Sequence, residues 1–94
     1  MDARTELMII MMEECGELIQ ACSKALRKDD FYDNQNLIEE VGDVYTMMEI
    51  MHDFDIFSWN DIENRVEEKR IKLSKWSNLI EEWEVEDTLR WWVM

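Results

Sequence analysis

Three carboxylates in this chain fall where a helix keeps its apolar side chains, and a fourth lies at the edge of the same region. Placed one residue per about 100°, Ile10, Ala21, Leu7, Ala25, Leu18, Met11 and Cys22 form one continuous apolar arc. Glu14 sits inside that arc, between Ala21 and Leu7, and Glu17 at its edge. Further along, Ile50, Met47 and Met51 form an apolar stretch within which Glu40 and Asp43 bracket Met47. The spacing of these pairs proves nothing by itself. With 23 Asp and Glu among 94 residues, chance predicts about five acidic pairs three apart, and five occur. Their inward direction on two successive segments is informative, because an unpaired charge facing a core costs several kcal/mol. Either Lys or Arg from a later helix neutralises them as buried ion pairs, or four hard oxygen donors converge on a cation. Such a set, free of His, suits Mg²⁺ or Mn²⁺.

The elements that must position these residues are helices. The chain has no Pro, two Gly and abundant Glu, Lys, Leu and Met, and no segment alternates apolar and polar with the period of a half-buried strand. The expected fold is all-α. The first helix should run from about Ala3 to Arg27, opened by Asp2 as a cap, with residues Lys28 to Asn34 as a loop. A second helix follows from about Gln35 to His52. After a short turn over Asp53 to Phe57, Ser58 and Asp61 resemble a capping box that opens a third helix reaching about Ser77. The tail from Asn78 to Met94 carries Trp83, Trp91 and Trp92 among five acidic residues and is unassigned.

Length and charge bound the functional classes. Ninety-four residues make one domain, residues 1–94, with a modest core that self-association would enlarge. A net charge of -13 repels a phosphate backbone over most of the surface, so nucleic acid is not an expected partner. No window approaches the roughly 20 apolar residues of a membrane span, and the first residues do not read as a secretory signal. A cytoplasmic protein is expected. Cys15 and Cys22 lie seven apart on one helix, about 10.5 Å at about 1.5 Å per residue, so they cannot bridge and are read as small buried side chains.

Half of all basic residues fall in Arg65, Lys69, Arg70, Lys72 and Lys75. On the third helix Lys69 borders the apolar arc of Ile62, Leu73, Val66, Trp59 and Trp76, with Arg65 and Lys72 one step further round. A solvated face paired with Glu67 and Glu68 explains the cluster if it stands alone. Beside a carboxylate-bound metal, Lys69 and Lys72 are placed to hold phosphate oxygens, which is the make-up of a phosphoanhydride site. Trp59, Phe54, Phe57 and Tyr45 could stack on a base, but at helical spacing they read as core.

At these residues the chain resembles a known family. Glu13-Glu14-Cys15-Gly16-Glu17-Leu18 and Glu39-Glu40-Val41-Gly42-Asp43-Val44 look like the paired acidic motifs of the MazG-like, all-α nucleotide pyrophosphohydrolases. Glu68 to Trp76 resembles that family's third, Lys-containing element, with Lys75 where an Arg is usual. The resemblance covers about residues 7–76. It implies Mg²⁺-dependent hydrolysis of a nucleoside triphosphate to the monophosphate and pyrophosphate. Glu14, Glu17, Glu40 and Asp43 would be the catalytic metal ligands, Lys69 would contact phosphate, and subunit pairing in a homodimer or homotetramer would complete a four-helix core.

Other classes fit less well. A non-enzymatic acidic helical module, mimicking DNA or blocking a basic partner, accounts for the surface acids but not for the inward ones. Asp29, Asp33 and Glu40 match three positions of a calcium loop, yet Phe31 and Asn34 break it. A di-iron bundle needs Glu-x-x-His motifs, and His52 has no Glu three before it.

Overall fold

The computed structural model describes residues 1–28 and 34–80. Three helices follow one another: α1 over Ala3–Lys28, α2 over Gln35–Asp53 and α3 over Trp59–Trp76. The chain is all-α, and every helix expected from periodicity is present with ends within one residue of expectation. The tail beyond residue 80 lies outside the described residues.

The helix starts are set by local side chains. The Thr5 amide donates to Asp2 Oδ1 at 2.8 Å, and the Leu37 amide donates to Asn34 Oδ1 at 3.1 Å, which makes the last residue of the expected loop the cap of α2. The Asp61 amide donates to Ser58 Oγ at 3.2 Å, forming the Ser58 half of the anticipated box. Each oxygen satisfies an amide that the helix itself leaves without a partner.

Residues 1–56 and 57–94 form two units. Within the first, α1 and α2 pack as an antiparallel hairpin, tied at one end where the Arg4 guanidinium donates to the Phe54 carbonyl at 3.4 Å. Among the described residues only Leu7, Ala21, Ala25 and Met47 are buried. Two helices can bury one seam each and no more, so part of the expected apolar arc stays at the surface. Cys22 is exposed and Cys15 half-buried, against the expectation that both are buried, and both thiols are free. Tyr45 and Phe54 are exposed as well, whereas Phe57 and Trp59 meet edge to face at 5.4 Å in the second unit.

The exposed apolar residues are ordered. On α1 they run Met8, Met12, Ile19 and Leu26, with Cys15 and Cys22 completing alternate steps of four and three. On α2 Ile38, Val41 and Tyr45 repeat the same spacing. Each helix of the hairpin thus carries one stripe facing its neighbour and a second, of coiled-coil period, facing outward.

α2 ends in a Schellman motif. The Asp55 amide donates to the His52 carbonyl at 2.9 Å and the Ile56 amide to the Met51 carbonyl at 3.0 Å. Asp55 is held at φ 60°, a region where a Cβ is unfavourable and glycine is usual. Asp55→Gly should raise the thermal midpoint, the relief of about 1 kcal/mol being partly offset by the freer unfolded chain. Asp55→Val should lower the midpoint, with a loss of stability of at least about 1 kcal/mol, measured by circular dichroism melts of both variants.

Candidate functional site

Midway along the hairpin, one carboxylate oxygen from each of Glu14, Glu17, Glu40 and Asp43 lies within 4.8 Å of the others. Glu14 and Glu17 are three apart on α1, Glu40 and Asp43 three apart on α2, so each helix presents its pair on the face turned to the other. All four carboxylates singled out from the sequence are therefore brought to one point. Glu14 and Glu40 are half-buried as expected. Asp43, expected inside the apolar stretch, is exposed, because the thin hairpin covers Met47 but not the turn before it. The adjacent Glu13 and Glu39 are exposed.

Electrostatically the cluster is unbalanced. Glu14 Oε2 and Glu40 Oε2 are buried and find no hydrogen-bond partner among the described residues. The ion pairs seen among those residues, His52 with Asp53 and Arg65 with Glu68, lie elsewhere. Within the described residues of the hairpin, no Lys or Arg forms an ion pair with any of the four. Loss of hydration first, then repulsion by Glu17 and Asp43, pushes the Glu14 carboxyl above its ordinary range. Glu40 is raised by lost hydration and by the charges of Glu17, Asp43 and Glu14. Four hard oxygens from two rigid helices, two of them orphaned, match the donor set and vacant valences that a divalent cation of the Mg²⁺ class requires.

The basic residues of the third helix are found on α3. Lys69 and Lys72 are exposed, and the Lys69 ammonium stands 5.4 Å from the centre of the Trp76 ring, a cation–π contact that fixes its direction along the helix. Arg65 donates to Glu68 at 3.1 Å on the solvated face. Two cations of α1 were not anticipated: Lys24 and Arg27 line an open cleft of about 620 Å³ that also includes Glu17 and Glu40. Their spacing of seven and ten from Glu17 places all three on one stripe, a signal present in the sequence but overshadowed by the denser basic run of α3.

The chain matches the MazG nucleotide pyrophosphohydrolase domain over residues 3–78, a span that takes in all three helices. It belongs to that family. No curated protein and no solved structure matches the chain significantly. Among the described residues no helix is long and apolar enough to cross a membrane.

The raised carboxyls fix a pH dependence. Between the ordinary value of 4.5 and the raised folded values, the folded chain holds more protons on Glu14 and Glu40 than the unfolded chain. The repulsive penalty is therefore absent below that window and grows as pH rises through it. In chelator-treated protein, the thermal midpoint of Glu40→Gln relative to the parent should rise with pH across the window and level off above it. A constant difference from acid to neutral pH would show that the carboxylates do not oppose one another.

Proposed function

We propose that the chain, as one MazG-like domain, hydrolyses a nucleoside or deoxynucleoside triphosphate to the monophosphate and pyrophosphate. The observation that carries this reading is the convergence of four carboxylates, two with orphaned oxygens, within a chain of the pyrophosphohydrolase family. Glu14, Glu17, Glu40 and Asp43 would hold Mg²⁺, or Mn²⁺ in its place. A divalent cation there supplies neutralisation of phosphate charge and acidification of water. The four residues themselves do three things. Glu14 and Glu40 offer anionic oxygens from a site partly shielded from solvent, Glu17 and Asp43 close the set on the open side, and the rigid helices keep the donors from relaxing apart. Lys69 and Lys72 would act on phosphate oxygens as point charges. In the overall reaction one water is consumed, a phosphoanhydride bond is broken, and the two phosphate products leave with a released proton. A DNA mimic or inhibitor carries its acids outward and does not account for oxygens turned in without partners. The compartment we assign is the cytoplasm, where such nucleotides are met.

We also propose that the functional form is a homodimer or homotetramer in which hairpins pair into a four-helix core. The outward stripes of α1 and α2 support this, as monomeric proteins rarely expose so ordered an apolar surface. Gly16 and Gly42, each beside one of these stripes, have open space where a side chain would stand, so no packing among the described residues accounts for a glycine in mid-helix. Close approach of a second hairpin does.

Pyrophosphate release from a panel of nucleoside triphosphates tests the first proposal. Release should require Mg²⁺, stop with EDTA, and fall at least about 100-fold in Glu40→Gln while helical content is kept. Loss of helix in that variant would instead make the cluster a structural one. For the second, light scattering of the parent should give two or four chains, and Ile19→Glu with Ile38→Glu should dissociate them and lower the melting temperature. A monomeric parent would refute the assembly.

A further inference from the structure

The cleft beside the carboxylates has a polarity of its own. Glu17 and Glu40 stand on its wall with Gln20, Lys24 and Arg27 of α1 and Asn36 of α2. Its volume of about 620 Å³ lies in the range of small-molecule sites. Among the described residues no aromatic ring lines it, and its charged and amide groups suit phosphate oxygens better than a base. Ala21, one of the few buried residues, also borders it, and this small side chain leaves the room that a larger one would fill.

Along α1 the charge changes sign within one stripe. From Glu17 to Lys24 the rise is about 10.5 Å, and to Arg27 about 15 Å. Side chains on a helix lean toward its N-terminus, so long side chains at Lys24 and Arg27, which line the same cleft as Glu17 and Glu40, are within reach of a phosphate chain that extends from the carboxylates. Neither forms an ion pair among the described residues. Arg27, in the last turn, also suits the negative end of the helix dipole, but Lys24 lies a turn earlier, where that effect has faded.

We infer that this cleft seats the polyphosphate end of the substrate, Lys24 and Arg27 holding its terminal phosphate oxygens while the carboxylates at its other end face the bond that breaks. The inference rests on the proposed triphosphate hydrolysis and adds to it a direction: the pyrophosphate to be released lies along α1 toward the α1–α2 loop. Lys24 and Arg27 are positioning residues that act in binding. The chemistry recognised is a chain of phosphates, whether carried by a nucleotide or free.

The test is calorimetric binding to the full chain in excess Mg²⁺, with inorganic triphosphate, a non-hydrolysable nucleoside triphosphate and a nucleoside monophosphate as separate probes. In Lys24→Gln/Arg27→Gln, affinity for both triphosphates should fall at least about tenfold. Monophosphate binding and Mn²⁺ binding should stay within about twofold, and Arg4→Gln, which removes one cation at the far end of the hairpin, should behave as the parent. A nucleotide preference over inorganic triphosphate in the parent identifies the carrier without altering the inference. Equal triphosphate affinity in parent and double variant, equal loss of monophosphate, equal loss in Arg4→Gln, or no triphosphate binding by the parent each overturns it. If triphosphate binds through Lys24 and Arg27 but no nucleotide releases pyrophosphate, the hydrolytic proposal falls and the cleft assignment stands.

Discussion

Mutual repulsion among Glu14, Glu17, Glu40 and Asp43 is the constraint around which the hairpin is built. Oxygens within 4.8 Å of one another interact strongly even where water screens them, and Glu14 and Glu40 have lost part of that water. A flexible segment would let the four drift apart. Two helices cannot do so without breaking the seam of Leu7, Ala21, Ala25 and Met47 that joins them. The helices thus hold an unfavourable charge arrangement that protons relieve and that a bound divalent cation, as proposed, would relieve further.

The same economy explains the surface. A hairpin with four buried side chains has little core to set against such repulsion. Apolar residues that a larger domain would cover are left in outward stripes, and the mid-helix glycines beside them face open space among the described residues. Pairing of hairpins would add the missing core and hold the carboxylates more firmly. In the proposed assembly, stability and site geometry would be one problem, met by the two faces of α1 and α2.

Much of this was legible in the residues. Helical periodicity alone put Glu14 and Glu40 on an apolar face, and Asp2 and Ser58 marked helix starts because their short oxygens reach free amides. Other features were less legible for identifiable reasons. A hydrophobic arc drawn on one helix does not say how many neighbours cover it, so Cys22 and Asp43 were expected inside and lie outside. Asp55 gives no sign of its left-handed backbone, since the residue that usually marks it is glycine. The pairing of Lys24 and Arg27 with Glu17 and Glu40 in one cleft depends on where α2 lies against α1, which no pattern within a single helix contains.

The most direct measurement is a calorimetric Mn²⁺ titration of the chelator-treated chain in two buffers of different ionisation enthalpy, at a pH just above the ordinary carboxylate range. The account predicts saturable binding accompanied by proton release, because the cation displaces protons that lost hydration and the neighbouring charges favour on Glu14 and Glu40. In Glu14→Gln/Glu40→Gln both the binding and the proton release should be lost. Absence of saturable binding by the parent, or binding that persists undiminished in the double variant, would contradict it.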